Sequence, residues 1–541
     1  MNIKILFFST VLILFIFGCE KKAKDKEKKC PNILFAISDD QSYLHTSFAG
    51  SRFVNTPAFD RVAKEGIYFQ NGYAGSPGCA PSRSAIVTGR HHWQNEQSGQ
   101  HASSWLKKHI PFVDELAASG YAVGRTDKGV GPFQYARTKK DSLWREGDAA
   151  GPAYQVAKYD KTNDERFSSG ISNSNYAENF KYFMENVRKD RPFFYWFGSF
   201  EPHVKYEQGS WKKRGKKLED AEVPAFLPDN GIVRGDLLDY AVEIEWFDLH
   251  LQRMLDYLEE IGELDNTIVI VTSDNGMPFP RAKANTYDYG VHVPLAIRYP
   301  EGIKGGQKCN TLVGFADLAP TILEATQTEP KSMLPISGES LWSLFTSNNI
   351  EKERAVFFGR ERHSSSRYQN WGYPQRSVRK GDYLYIWNVL PDRWPAGAPQ
   401  GIDKETGELH PFLDIINEEE KIGENVLSDI DPTPAKRYLI KNYRDSEVQK
   451  YLLLASEKRP EFEMYNVVKD MACLENLSGK SEFTDIEGDL KKTLFNELYR
   501  TEDYRVSKDS FDTFDSYLRY FPLRSYPKPT AGVMLKNYLL D

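Results

Sequence analysis

Cysteine is scarce in this chain: five in 541 residues, at positions 19, 30, 79, 309 and 473, too few and too scattered for a disulfide framework. An excess of positive charge is also missing. Lys and Arg number 70 against 76 Asp and Glu, a net charge of −6, which argues against nucleic acid as a partner. An anionic ligand would therefore need a local basic site. There is no internal repeat, and the apolar run Ile5–Phe17 is too short to span a bilayer. Apolar residues nevertheless make up 40% of the chain, enough for a large core, and the length suits one large domain plus a smaller one.

The N-terminus reads as an export signal. Met1–Lys4 is positive, Ile5–Phe17 is apolar, and Ile16-Phe17-Gly18-Cys19 resembles a bacterial lipobox. Residues 1–18 are expected to be a lipoprotein signal peptide, and Cys19 to be the lipidated residue. Residues 19–30, almost all charged after Cys19, form a solvated tether. This predicts an exported bacterial lipoprotein held at the outer membrane by a lipid anchor.

Three apolar runs share one grammar. Pro31–Ser38 leads into Asp39-Asp40, Pro192–Phe200 into Glu201-Pro202-His203, and Thr267–Thr272 into Ser273-Asp274-Asn275-Gly276. Each reads as a strand buried on both faces, and open α/β sheets place ligands beyond the C-terminal ends of such strands. A long amphipathic helix is predicted over 236–261. Strand and helix patterns alternate from residue 31 to 350, predicting a large α/β domain with a mainly parallel or mixed sheet flanked by helices. Residues 351–541 are expected to form a smaller C-terminal α+β domain. Asp39, Asp40, Asp274 and Asn275 are hard oxygen donors, suited to Ca²⁺ or Mg²⁺ and not to zinc.

Gly78–Arg90, GCAPSRSAIVTGR, is the most specific stretch. A helix is expected over Pro81–Val87, with Pro81 at its first position and Gly89 past its end, which sets an acidifiable Cys79 thiol at the positive end.

Cys79–Gly89 matches the type I sulfatase signature C-x-P-S-R-x-x-x-x-T-G at every fixed position. Asp39-Asp40, Ser273–Gly276, the run Phe315–Thr321, and Glu463–Asn466 followed by Leu474–Leu477 fall in that family's order. The chain therefore resembles the formylglycine-dependent sulfatases over roughly residues 31–500. Residues 273–280 and 373–388 look most like the sulfamidase branch, which includes bacterial enzymes acting on polysaccharides such as ulvan. The resemblance implies an alkaline-phosphatase-like α/β sandwich. It also implies one Ca²⁺ ion held by Asp39, Asp40, Asp274, Asn275 and the modified Cys79. A formylglycine-generating or sulfatase-maturating enzyme would oxidise Cys79 to formylglycine, whose hydrate attacks the sulfur of a sulfated carbohydrate. Arg83, Lys128, His203 and Lys283 take catalytic roles by position.

One motif departs from the family pattern. Many members carry G-K-x-H-x-G, whereas residues 126–131 read TDKGVG, so Lys128 has no accompanying histidine. The proton donor is then His203 or another histidine, with His92, His101 and His363 as candidates. Arg360, Arg362, His363, Arg376 and Arg379 form a basic stretch, of which His363 and Arg376 are the expected substrate contacts. Three readings follow: a sulfatase of sulfated polysaccharides or oligosaccharides, with N-sulfoglucosamine sulfamidase as its variant; a phosphodiesterase or phosphatase of the same superfold; and an inactive glycan-binding lipoprotein. Against the second stands C-x-P-S-R, where such relatives use Thr or Ser.

Overall fold

The computed structural model describes residues 30–137, 142–160, 165–347, 351–367, 371–399 and 426–520. The expected signal peptide, Cys19 and nearly all of the tether lie outside the described residues. Among those described, no helix is long and apolar enough to cross a membrane.

The large sheet is built from β1 (Asn32–Ser38), β2 (Ile67–Tyr73), β3 (Ala122–Asp127), β4 (Phe193–Gly198), β5 (Thr267–Ser273), β6 (His292–Arg298), β7 (Gln307–Cys309) and the short β8 (Val313–Gly314). Its order is β3-β4-β1-β5-β6-β2-β7, with β8 also pairing with β2. The strands β3, β4, β1 and β5 are mutually parallel, whereas β6 runs antiparallel to both β5 and β2. The sheet is therefore mixed, as expected.

Alternation along β1 explains its unbroken apolar sequence. Ile33, Phe35 and Ile37 enter one core cluster, while Leu34 and Ala36 enter the cluster on the opposite face. The second face is covered by α1 (Pro57–Glu65) and by the long helix Gly231–Glu260. That helix starts earlier than its hydrophobic pattern suggests, because Asn230 Oδ1 accepts from the N–H groups of Ile232 (2.9 Å) and Val233 (3.1 Å). The first face is covered in part by α2 (Cys79–Thr88), through Ala80, Ile86 and Val87.

The second sheet is antiparallel, in the order β12-β11-β10-β9, from β9 (Ala355–Arg360), β10 (Gln375–Lys380), β11 (Tyr383–Asn388) and β12 (Phe462–Asn466). The helix Thr484–Arg500 packs on it through Leu490, Leu494 and Leu498. Two segments of this smaller region, 361–367 and 426–433, return to the large sheet and complete the site.

Candidate active site

The four parallel strands deliver their following residues to one edge. Asp39 and Asp40 follow β1, Asp274 and Asn275 follow β5, Lys128 follows β3, and Glu201 to His203 follow β4. Strand register enforces the meeting: Ser38 pairs with Ser273, and both Asp127 and Ile37 pair with Gly198. A Cβ on Gly198 would stand 1.8 Å from the Lys128 carbonyl oxygen, so only glycine lets β3 and β4 close up here.

Helix α2 points its N-terminus at this edge. It begins at Cys79 rather than at Pro81, because Gly78 is still extended (φ −161°, ψ 141°) and the first-turn N–H that proline lacks would have no helical acceptor anyway. Gly89, at φ 64°, ends the helix in the left-handed conformation. The Cys79 thiol is 2% exposed, and burial pushes its pKa up despite the neighbouring Lys128 charge. The thiol is therefore not acidified as its place at a helix start suggested: burial, with the Asp39 and Asp274 charges, outweighs Lys128 and Lys283.

Arg83, fully buried, donates from Nε to Asp274 Oδ2 (2.6 Å) and from Nη1 to the Gly129 carbonyl (3.0 Å). It thus holds Asp274 in place, with its donors turned to protein oxygens. Lys128 donates to Asp39 Oδ2 and lies 4.0 Å from Asp274 Oδ2. Asp40 adopts φ 76°, a costly conformation for a non-glycine residue. Three contacts hold it there: its N–H donates to Asp274 Oδ1 (3.1 Å), Asn275 Nδ2 donates to its Oδ1 (2.8 Å), and Lys283 Nζ donates to its Oδ2 (2.6 Å). Lys283 also lies 3.1 Å from Asp431 Oδ2. Burial works against the Lys283 ammonium, but the flanking Asp40 and Asp431 charges prevail and raise its pKa. His203 donates from Nδ1 to the Val204 carbonyl (2.6 Å), leaving Nε2 3.8 Å from Asp40 Oδ2.

The donor set accommodates a hard divalent ion. The ligand atoms of Asp39, Cys79 and Asp274 lie within 4.8 Å of one another. Asp39 Oδ1 and Asn275 Oδ1 are buried oxygens without a hydrogen-bond partner, as ion ligands would be before the ion is bound.

His363 is brought to the centre. A Cβ on Gly78 would lie 3.3 Å from its Cδ2, and its Nδ1 is 3.6 Å from Asp429 Oδ1. His101 packs on it with ring centroids 5.1 Å apart. His92 instead lies in the interior, its Nδ1 3.2 Å from the Gly99 carbonyl. Arg376 departs from its expected role as a substrate contact. It is fully buried, its guanidinium spent on Asp503 (2.5 and 2.9 Å) and Glu361 (2.8 Å). Arg360 and Arg379 are buried as well, Arg360 on Asp429 (2.5 Å) and Arg379 on the Tyr73 hydroxyl (3.1 Å). The basic stretch is thus largely an internal lattice and not a solvated face.

Sequence reasoning missed Asp429 and Asp431. Asp429 accepts from Arg360, Arg367 (2.6 Å) and both the N–H and hydroxyl of Ser364, and so anchors the segment carrying His363. No local pattern marks either aspartate.

Profiles of known families match the chain in two places. The sulfatase profile covers residues 31–328, and that of the N-sulphoglucosamine sulphohydrolase C-terminal region covers 282–381. An ulvan-active sulfatase of Formosa agariphila is 26% identical over 444 residues, spanning 72% of this chain and 68% of its own. The N-sulphoglucosamine sulphohydrolase of Homo sapiens is 26% identical over 424 residues, spanning 71% and 78%. A solved structure in complex with its substrate D-glucosamine-2-N,6-O-disulfate matches at a TM-score of 0.54 and 18% identity, over 90% of this chain and 100% of the other. At that identity the likeness concerns the fold alone.

Proposed function

The chain belongs to the sulfatase family, in its sulfamidase-like branch, and on that premise we propose that it removes sulfate from a sulfated polysaccharide or its oligosaccharides. The observation that carries this reading is the burial of Cys79 beside the Asp39 and Asp274 carboxylates and within reach of the Lys128 and Lys283 ammonium groups, at the ends of adjacent parallel strands.

Cys79, once oxidised by a formylglycine-generating enzyme, would supply a hydrated aldehyde as nucleophile. Asp39, Asp40, Asp274 and Asn275 would hold one Ca²⁺ ion, whose charge offsets that of the sulfate. The remaining groups act on the substrate directly. Lys128 and Lys283 present fixed positive charge to sulfate oxygens, where charge builds in the transition state. Arg83 keeps the Asp274 carboxylate aimed at the centre. His203, whose Nδ1–H donates to the Val204 carbonyl, turns Nε2 toward the site, and in its doubly protonated form it gives the Nε2 proton to the departing sugar oxygen or nitrogen. His363 lines the wall formed by Gly78.

Ulvan-type and glycosaminoglycan O-sulfates are the substrates this reading favours. Sulfamidase action on N-sulfoglucosamine is the second reading, supported by the match over 282–381. Sulfate release by the matured protein from a panel of O- and N-sulfated saccharides tests both. Release from an O-sulfated member supports the first reading, release from N-sulfoglucosamine alone supports the second, and release from none sinks both.

A further inference from the structure

The described chain closes with a strap, residues 517–520, that neither family profile reaches. It is zipped to the large domain. Tyr520 N–H donates to the Ala102 carbonyl (2.9 Å), the Ser103 hydroxyl to the Leu518 carbonyl (2.7 Å), and Arg362 Nη1 to the Tyr517 carbonyl (2.7 Å). These bonds set Arg519 beside the histidine pair: its Nη2 lies 3.5 Å from His101 Nδ1, and its Nη1 3.4 Å from the Ser365 hydroxyl.

A continuous line of contacts results. It runs from Cys79, through Gly78 against His363 and His363 against His101, to Arg519. Cys79, His363 and His101 are all buried, at 2%, 6% and 4% exposure, and the line reaches solvent only at the half-buried Arg519. Positive groups gather around His101, while the Asp429 carboxylate sits behind His363 at 3.6 Å. His101 is depressed first by its burial and then by the charges of His363, Arg519, Lys283 and Lys128, so all of these lie within electrostatic reach of one ring. Arg362 is likewise pushed down to about 10, by burial foremost and by Arg519 next. Two guanidiniums, Arg362 and Arg519, within electrostatic reach of each other and beside the His101–His363 pair, match a ligand with a second negative group. The ring of Tyr520 meets that of Trp144 at 5.0 Å beside them, adding a half-buried aromatic pair of the kind that faces sugars.

We propose that Arg519, with His101 and His363 leading to it, forms a second anion subsite, so that the preferred substrate carries another anionic group besides the sulfate removed. This rests on the sulfated-saccharide reading above. The second group is a further sulfate or a uronate carboxylate, both of which a guanidinium pairs in bidentate fashion.

Calorimetric binding to the full chain carrying Cys79→Ala, which cannot turn over, tests the subsite apart from catalysis. The probes are N-acetylglucosamine 6-sulfate, glucosamine-2-N,6-O-disulfate, and a disaccharide joining a uronic acid to N-acetylglucosamine 6-sulfate. Adding Arg519→Gln should weaken at least one dianionic probe roughly tenfold, the scale of one charge-assisted pair, and leave the monosulfate within about twofold. Whichever dianionic probe responds identifies the second group, and Arg519→Lys should restore part of the loss. Equal loss on all three probes, or no loss on any, would overturn the subsite. Failure of every probe to bind the parent protein would instead remove the saccharide reading and the subsite with it.

Discussion

Asp429 shows how much of this site rests on single buried charges. It accepts from two arginines and the Ser364 hydroxyl while lying 3.6 Å from His363, and those charges hold its carboxyl well below the usual range although burial opposes them. Asp429→Ala strands Arg360 and Arg367 without their counter-charge, and should cost about 3–5 kcal/mol in chemical denaturation. A loss below 1 kcal/mol, about that of an exposed pair, would contradict the network. Residues of this kind were the illegible ones. Asp39-Asp40 and Asp274-Asn275 could be read because each follows its own buried strand, and position after a strand is a local property. Asp429 and Asp431 reach the site from a segment with no periodic pattern, more than 140 residues beyond the Lys283 loop. Arg376 was read as a substrate contact because its partners Glu361 and Asp503 lie 15 and 127 residues away in the chain, so nothing local marked its guanidinium as paired with buried carboxylates.

At the scale of elements, the helix α2 was legible in its presence and end, because the Thr88-Gly89 stop is local chemistry, and misplaced by two residues at its start. The long helix Gly231–Glu260 carries a further consequence. Its Asp236 accepts from the Ala435 N–H (2.8 Å), and its Asp248 from the N–H groups of Ala58 (2.9 Å) and Phe59 (2.8 Å), the first turn of α1. Burial nevertheless pushes both carboxyls up to about 7. A carboxyl raised in the folded state favours folding most when protonated. Its contribution is complete below the unfolded value near pH 4 and is lost as pH rises through about 7. On their account the melting temperature should fall between about pH 4 and pH 7 and level off above that. Asp236→Asn, which fixes the neutral form, should flatten that slope in thermal melts at matched ionic strength. An unchanged slope would refute the assignment to Asp236.

The whole molecule is an alkaline-phosphatase-like sulfatase fold, in which a mixed sheet supplies the reacting groups and a smaller antiparallel sheet region supplies the wall. The division of labour is visible in the contacts. Strand ends of the large sheet bring Asp39, Asp40, Lys128, His203, Asp274 and Asn275, whereas the smaller region brings His363, Asp429, Asp431 and Arg519. On the proposed reading, substrate choice resides mainly in the second group, and its residues lack the strand-end signature that made the first group readable. Everything in the account turns on Cys79 as the precursor of the nucleophile. The most direct test measures the initial rate of sulfate release beside the fraction of Cys79 converted to formylglycine, by peptide mass spectrometry, in preparations matured to different extents. The account predicts a rate proportional to the converted fraction and abolished in Cys79→Ala. Sulfate release that persists in Cys79→Ala, or that is indifferent to conversion, would contradict it.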